Sequence, residues 1–353
     1  MKNTFGNNLS FTIFGESHGS QIGIVLDGLK SGIKIDEEFI DHQLSLRRPY
    51  GKLSTARVES DPFEIVSGAF NGYTTGSPLT IVIPNENTRS SDYSETRFLA
   101  RPSHADYTAY VKYKGYEDYR GGGHFSGRIT AALVAGAAIV IPALKEEGIL
   151  IGTHIKKLSG ISDRDFNDYR SDIEYLNNEQ FAVLDKDAGS AMIKAIEDAA
   201  ADGDSIGGHL ESVILGLRAG LGEPFFDSLE SLYSHGLFSI PAIKGVEFGN
   251  AFEDCELKGS EFNDPFSVRD GRIVTDTNHN SGINGGISNG MPIIIRCAVK
   301  PTPSIYKEQK TVDFNKNEDS KLTLKGRHDP AIIHRARVVA DSMLALITYD
   351  VIS

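Results

Sequence analysis

Apolar residues recur at helical spacing in four parts of the chain. One run follows Asp36, a longer one follows Ser126, a third covers 188–201, and the last follows Asp329-Pro330. Asp36, Ser126 and Asp329 are residue types that cap helix N-termini, and proline suits the first helical position. The apolar positions of the four predicted helices are Phe39, Ile40 and Leu44; Ile129, Leu133, Gly136, Val140 and Leu144; Ile193, Ile196 and Ala200; and Ile332, Ala336, Val339, Met343 and Leu346.

The predicted helix at 129–144 is rich in small residues. Its alanines and its glycine would allow another helix to pack very close, Pro142 should bend its last turn, and Gly148 ends it. It is also the longest apolar stretch of the chain. We expect it to be too short and too weakly hydrophobic to span a bilayer.

Apolar runs of strand length, rich in β-branched residues, predict strands at 22–26, 78–84, 209–217 and 292–299. Long helices and separated strand clusters favour an α+β fold over a doubly wound one. The polar stretch 159–187 is typical of a surface insertion with mixed structure. Because no Gly/Ser or Pro linker divides the chain, we expect one domain over 1–353.

Charge and cysteine content narrow the functional classes. With 36 Lys+Arg and 48 Asp+Glu the net charge is −12, whereas a general nucleic-acid binder usually has a basic excess. Cys255 and Cys297 form no C-x-x-C or metal-ligand pattern, which indicates a reducing compartment and no metal site. The N-terminus lacks the basic and apolar regions of a signal peptide. These features predict a cytoplasmic protein with no membrane or nucleic-acid partner.

Two glycine-rich segments contain candidate catalytic and anion-binding residues. Residues 15–19 (Gly-Glu-Ser-His-Gly) predict a tight turn that presents Ser17 and His18, and a histidine there could act as a general acid. Residues 120–128 (Arg-Gly-Gly-Gly-His-Phe-Ser-Gly-Arg) lead into a capped helix, which is an arrangement suited to binding an anion. The alternative for residues 15–19 is a surface turn, and the alternative for residues 120–128 is a flexible loop before a core helix.

Basic and polar residues gather in three further segments. Residues 47–57 hold four basic residues and no acidic one, which is usually a solvated surface but could gather a multiply charged substrate. Residues 101–107 begin with Arg101 and contain His104. Residues 278–290 are predicted to form a polar glycine loop, and residues 300–304 and 325–330 add basic groups. Asp329 could both cap a helix and orient a histidine.

Taken together, these segments resemble the chorismate synthase family over nearly the whole chain. Three long motifs occur in family order: residues 15–19, residues 101–128 with their Gly-Gly-Gly run, and residues 326–330 (Gly-Arg-His-Asp-Pro). Residues 240–247 and 300–304 also look like the family. The resemblance implies a β-α-β sandwich, with a central helical layer between antiparallel sheets, assembled as a homotetramer.

The resemblance also implies an activity. Chorismate synthases convert 5-enolpyruvylshikimate 3-phosphate to chorismate by a 1,4-elimination of phosphate and the C6 proton, the last step of the shikimate pathway. The reaction needs reduced FMN although it is redox-neutral. NADPH or an external flavin reductase would supply the electrons, and the sequence leaves both open. A substrate with two carboxylates and a phosphate explains a local arginine cluster in an acidic protein.

Site roles follow from the resemblance residue by residue. His18 is the expected acid near the reduced flavin, His104 the acid near the departing phosphate, and Asp329 assists movement of the C6 proton towards the flavin N5. Arg101 is expected to keep His104 cationic. The residues implied to bind substrate are Ser17, Arg47, Arg101, Arg128 and Arg327. Those implied to bind FMN or NADP are Arg47, His124, Phe125, Ser126, Gly285, Lys300, Pro301, Thr302, Pro303, Ser304 and Arg327.

Two alternatives come from other classes of protein. An NADPH-dependent flavin reductase would oxidise NADPH steadily without the shikimate substrate. A non-catalytic phosphoanion-binding module would show no turnover. Substitution of His18 or His104 would then have no effect on turnover.

Overall fold

Two five-stranded antiparallel sheets enclose a layer of helices in the computed structural model of the chain. The structure describes residues 3–49, 51–54, 60–86, 96–324 and 328–353. The helices are α1 (Glu37–Arg47), α2 (Asp106–Tyr113), α3 (Thr130–Glu146), α4 (Tyr169–Leu176), α5 (Lys186–Ala201), α6 (Leu229–Ser239), α7 (Ala251–Asp254), α8 (Gly259–Phe262) and α9 (Ile333–Ile352), with 3-10 turns at Gly51–Leu53, Arg120–Phe125 and Gly127–Ile129.

The first sheet comes from the N-terminal part of the chain, and the second from strands between residues 150 and 299. The strands are β1 (Thr4–Phe5), β2 (Ser10–Gly15), β3 (Gln21–Asp27), β4 (Glu64–Ser67), β5 (Ala69–Phe70), β6 (Tyr73–Thr74), β7 (Leu79–Pro84), β8 (Leu150–Leu158), β9 (Ile161–Ser162), β10 (Gly208–Leu215), β11 (Ile243–Phe248), β12 (Phe266–Arg269), β13 (Arg272–Thr275), β14 (Ile283–Asn284), β15 (Ile287–Ser288), β16 (Ile293–Val299), β17 (Gln309–Asp313) and β18 (Glu318–Leu322). The first sheet has the order β1-β2-β3-β7-β4 and the second β11-β16-β10-β8-β9.

Helices α3 and α9 form the centre of the sandwich. α3 packs on β3 and β7, α9 packs on β8 and β10, and the two helices contact each other. α1 contacts both helices, and α6 packs against α9 and β11. The expected α+β sandwich is therefore confirmed. Seventeen of the 20 residues of α9 are buried, since both of its sides face other elements.

The prediction that the apolar stretch after Ser126 is too short and too weakly hydrophobic for a membrane span is wrong. The helical segment Gly127–Glu146 has 20 residues and a mean hydropathy of 1.8, which satisfies both criteria. Its most apolar window is 67% buried inside the protein.

Gly136 of α3 provides room for the Ile24 side chain of β3, rather than for a helix, since a Cβ there would lie 2.7 Å from Ile24 Cδ1.

Helix starts were predicted with mixed success. Asp36 is the N-cap of α1, where its Oδ1 accepts a hydrogen bond from Phe39 N (2.9 Å). Asp329 is not a cap, because α9 begins three residues after Pro330 with Ile332 at its N-cap. α5 begins two residues earlier than predicted because Asp185 caps it.

The predicted apolar stripe of α5 is only partly correct. Its buried residues are Gly189, Met192 and Ile196, whereas Ala200 is exposed. The predicted strands correspond to β3, β7, β10 and β16 with end shifts of one or two residues.

Strand β8 was not predicted, although it lies inside the second sheet. Its sequence contains polar residues at buried positions, including Thr153 and His154, both fully buried. Thr153 Oγ1 hydrogen-bonds Ser212 Oγ (2.7 Å) and donates to Asp341 Oδ1 of α9. These buried polar residues form hydrogen bonds inside the protein. Because they occupy buried positions of β8, the strand lacks the apolar pattern from which a strand is predicted.

His154 links the segment 159–187 to the second sheet. Its Nδ1 lies 2.6 Å from Asp163 Oδ2 and its Nε2 lies 3.1 Å from Glu211 Oε1. Burial opposes a charge on His154, yet its two carboxylate partners outweigh this and raise its pKa. The segment is therefore more than a surface insertion, and it buries Ile173 and Leu176 completely.

We predict that His154→Gln lowers the free energy of unfolding by about 3 kcal/mol at pH 6, because it leaves the buried Asp163 carboxylate without its cationic partner. A folded-state pKa above the unfolded value of about 6.5 gives stability that is complete below that pH and lost as pH rises through the folded-state pKa. The deficit should therefore shrink between pH 6 and pH 9 in urea titrations. His209→Gln, at an exposed position of β10, is the control. A deficit independent of pH would contradict a charged His154.

Candidate active site

A cleft of about 1750 Å³ brings together most of the predicted site residues. It exceeds the roughly 300–1,000 Å³ typical of a site for one small ligand, so two ligands fit side by side. The predicted residues that line it are Ser17, His18, Arg47, Arg101, His104, His124, Phe125, Ser126, Arg128, Lys300, Thr302, Pro303, Ser304 and Asp329.

Three predicted site residues are not placed in the cleft. Gly285 is exposed in the turn between β14 and β15, and it does not line the cleft as formed by the described residues. Pro301 follows Lys300 in the chain but is not among the described lining residues either. Arg327 lies outside the described residues, so its predicted contacts with substrate and FMN stay predictions.

The Gly121–Gly123 run packs directly against His18. All three glycines have positive φ (60°, 83° and 53°), which an L side chain rarely adopts. A Cβ on Gly121 would lie 2.4 Å from His18 Cδ2 and 2.6 Å from its Nε2. Ser17 N donates to Gly123 O (3.0 Å). The glycines thus permit a close approach between two backbone segments that holds Ser17 and His18 buried in the cleft wall.

The residues after the glycines, His124, Phe125 and Ser126, bring two rings and one hydroxyl to the cleft. His124 Nδ1 donates to Gly15 O (2.7 Å), which assigns the proton to Nδ1. Phe125 keeps 45% of its surface exposed. Ser126 Oγ accepts from Arg128 N (3.3 Å) and so caps the turn that leads into α3, as predicted from the sequence.

His104 is held by contacts to both ring nitrogens. Nδ1 donates to Pro102 O (3.1 Å), and Nε2 lies 2.9 Å from Ser304 Oγ, whose hydroxyl can donate to it. Desolvation and the neighbouring Arg101 lower the pKa of His104 to about 4. The imidazole is therefore neutral at pH 7 in the ligand-free protein.

This finding corrects the expected role of Arg101. A cation beside a histidine disfavours the imidazolium, so Arg101 acts against a charged His104. Its guanidinium is instead bound to Asp106, with Nε 2.8 Å from Oδ2 and Nη2 2.7 Å from Oδ1. The backbone N–H of Arg101 also donates to Asp106 Oδ2 (2.9 Å). This two-point contact fixes the plane of the guanidinium at the start of α2.

A second acidic residue lies between two arginines of the cleft lining. Asp61 Oδ1 accepts a hydrogen bond from Arg128 Nη1, and its Oδ2 lies 3.7 Å from Arg47 Nη2. Asn85 Oδ1 accepts from Arg128 Nε (3.0 Å), and Asn85 Nδ2 donates to Glu16 O and Gly19 O (both 3.0 Å). Asn85 thus connects the His18 turn to Arg128.

Asp329 and Lys300 each contact another part of the cleft wall. Asp329 Oδ2 accepts from Arg335 Nη1 (2.6 Å), and Arg335 Nε donates to Arg47 O (2.7 Å). Lys300 Nζ donates to Ser103 O (2.7 Å), which joins the end of β16 to the loop that carries His104. Thr302 Oγ1 is buried with no hydrogen-bond partner among the residues that the structure describes.

Sequence reasoning missed the residues that hold the predicted ones in place, namely Asp61, Asn85, Asp106 and Arg335. Asp106 lies five residues after Arg101, so a local ion pair was detectable in principle. Asp61 and Asn85 carry no such signal, because the chain returns to Arg128 only after more than 40 residues.

Comparison with known proteins assigns the chain to a family. The family model for chorismate synthase matches residues 9–352. The chain belongs to the chorismate synthase family. It is therefore an enzyme, a lyase that acts on a small-molecule substrate, and the resemblance inferred from the motifs is confirmed.

Similar proteins support the assignment over the full length. The chorismate synthase of Pyrococcus abyssi is 44% identical over 345 residues, which cover 98% of this chain and 96% of that protein. That of Dehalococcoides mccartyi is 43% identical over 353 residues, with 99% and 96% covered. A crystal structure of a chorismate synthase aligns with a TM-score of 0.77 at 27% identity, covering 98% of this chain and 92% of the other.

We predict that Arg101→Met raises the pKa of His104, because the substitution removes a neighbouring positive charge while Asp106 remains. NMR titration of the histidine Cε1 signals measures this pKa in the wild type and the variant. Arg120→Met is the control, since Arg120 pairs with Asp118 and should leave His104 unchanged. A wild-type His104 that titrates near 6.5 would contradict the neutral imidazole.

Proposed function

We propose that the protein converts 5-enolpyruvylshikimate 3-phosphate to chorismate and phosphate by 1,4-elimination, with reduced FMN bound beside the substrate. One observation carries the proposal: four arginines and five histidines from sequence-distant segments are among the described residues that line a single cleft. The protein as a whole has a net charge of −12, whereas the described lining residues include five Lys or Arg and five Asp or Glu. The cleft is therefore less acidic than the chain as a whole, and its guanidiniums suit a multiply anionic substrate.

Arg101 and His104 would receive the phosphate. The guanidinium of Arg101 is already oriented by Asp106, so binding an anion needs little further ordering of that side chain. A phosphate dianion next to His104 would offset the desolvation that now keeps the imidazole neutral, and would raise its pKa. His104 would then hold a proton on Nε2, from which the leaving phosphate oxygen can take it as the C–O bond breaks.

Ser304 supports this change of protonation state. In the neutral ring the hydroxyl can donate to Nε2, and after protonation it can rotate and accept from Nε2–H. Nδ1–H stays bound to Pro102 O in both states. The ring orientation is thus the same before and after proton uptake.

His18 and Asp329 are the other proposed proton-handling groups. Both line the cleft, His18 from the turn packed on Gly121 and Asp329 from the segment before α9. Arg335 orients the Asp329 carboxylate. Asp329 would assist departure of the C6 proton, and His18 would hold a proton next to the flavin.

Several residues of the cleft wall fit a flavin mononucleotide. The buried Thr302 hydroxyl, which has no hydrogen-bond partner among the described residues, suits the ribityl and phosphate groups, and so do the Lys300 ammonium and the Ser126 hydroxyl. The exposed ring of Phe125 suits a planar apolar ligand. When bound, reduced FMN supplies electron density that stabilises the charge developing on the substrate ring. Lys300 and Thr302 would bind the cofactor, and NADPH or an external flavin reductase would provide its electrons.

We also propose the homotetramer that the family resemblance implies. Large aromatic side chains are exposed away from the described cleft lining, including Phe225 (86%), Phe226 (92%) and Phe252 (77%). Contacts with further copies of the chain would bury such side chains.

We expect His104→Ala to lower kcat by about 10²-fold, the usual scale for loss of a general acid, with a modest effect on KM. Chorismate formation is measured with photoreduced FMN under anaerobic conditions. His209→Ala, which removes an exposed histidine of β10, should retain wild-type turnover. A kcat for His104→Ala within threefold of the wild type would exclude the acid role.

The second test concerns the cofactor. Substrate and oxidised FMN without any reductant should give no chorismate, whereas photoreduced FMN should support turnover although no net oxidation occurs. Product formed with oxidised FMN would contradict the proposed use of reduced flavin. Steady NADPH oxidation without substrate, and no chorismate with reduced FMN, would instead indicate a flavin reductase.

A further inference from the structure

We propose that Asp61 is a positioning residue, which aligns Arg47 and Arg128 for the anionic groups of the substrate and offsets part of their charge. The inference rests on the proposed function, because it takes these two arginines as substrate-binding residues. Asp61 itself does not line the cleft, whereas both arginines do.

The first observation is the burial of all three side chains. The Asp61 side chain is 1% exposed, and those of Arg47 and Arg128 are 4% and 9% exposed. A buried carboxylate is costly unless cations and hydrogen bonds compensate it, and two guanidiniums do so here. Arg128 Nη1 donates to Oδ1, and Arg47 Nη2 lies 3.7 Å from Oδ2. One carboxylate therefore serves two arginines.

The second observation is the backbone at Asp61. Its φ is 49°, in the left-handed region that few residues other than glycine, asparagine and aspartate adopt readily. This conformation directs a short acidic side chain between the two arginines. Aspartate is thus one of the few acidic or polar residue types that fit this position without much backbone strain.

The third observation is where the two arginines come from. Arg47 is the last residue of α1, and Arg128 lies in the turn that leads into α3. Arg128 is further held by Asn85 Oδ1 at Nε (3.0 Å) and by Pro84 O at Nη2 (3.1 Å). Asp61 joins this group to Arg47 and so contributes to the relative position of the two guanidiniums.

The charge of Asp61 should affect anion binding and turnover in opposite directions. Removing the carboxylate charge would make the net charge around the two guanidiniums more positive by one. An anion that needs no particular orientation, such as inorganic phosphate, should then bind more tightly. Turnover should fall, because the two like charges are no longer held in one arrangement and small displacements of binding groups reduce rates strongly.

The test uses Asp61→Asn, which keeps the shape and removes the charge. We expect phosphate to bind at least about threefold more tightly in calorimetric titrations, and kcat to fall at least about tenfold. Asp172→Asn is the matched control, because Asp172 holds Arg164 through two hydrogen bonds (2.6 and 3.0 Å) on α4, away from the described cleft lining. It should lower the melting temperature and leave both readouts unchanged.

Phosphate affinity that is unchanged or weaker in Asp61→Asn, or a kcat of the folded enzyme within twofold of the wild type, would overturn the inference. If Asp61→Asn does not fold, Asp61→Glu keeps the charge and moves it by one methylene. It should retain wild-type phosphate affinity and lose turnover, and wild-type turnover would overturn the positioning role. Phosphate titration needs no turnover, so a wild type that makes no chorismate would refute the proposed function separately.

Discussion

The cleft depends on arginines that are held by aspartates of the same chain. Each guanidinium is oriented by a carboxylate before any ligand arrives, so the entropy of ordering a long side chain is already lost on folding. The pairs in and beside the cleft are Arg101–Asp106, Arg120–Asp118, Arg128–Asp61 and Arg335–Asp329. The same carboxylates limit the net positive charge, which makes burial of the arginines tolerable.

The sandwich places these pairs next to one another. α1 ends at Arg47, the 3-10 turn before α3 carries Arg128, and the segment before α9 carries Asp329. These helices belong to the layer between the two sheets, and their packing brings the three ends to one cleft. The glycines at 121–123 then allow the turn with His18 to approach the same cleft.

Sequence reasoning identified elements whose signals are local. Strands β3, β7, β10 and β16 and the Asp36 cap were predicted because each depends on neighbouring residues. The cap at Asp329 was wrong, since this carboxylate pairs with Arg335 instead. The charge on His104 was also mispredicted, because the burial that lowers its pKa depends on the folded structure, and because Arg101 disfavours the imidazolium that it was expected to favour.

In the candidate site, too, residues with local sequence signals were predicted and residues that depend on the folded structure were not. The motifs identified most residues that line the cleft, but not the residues that hold them. Asp61 is 67 positions from Arg128 in the chain, and its role depends on a left-handed backbone conformation that no local pattern indicated. Whether Gly285 contacts the flavin stays a prediction, since within this chain it lies away from the described cleft lining.

The most direct test of the central claim is a crystal structure of the protein with 5-enolpyruvylshikimate 3-phosphate and oxidised FMN, compared with the ligand-free crystal. If the aspartates orient the arginines in advance, Arg101 keeps both hydrogen bonds to Asp106, and Arg128 keeps its contact with Asp61, while their outer nitrogens bind the substrate. Arginines that leave their aspartates and turn towards the ligand would contradict the account.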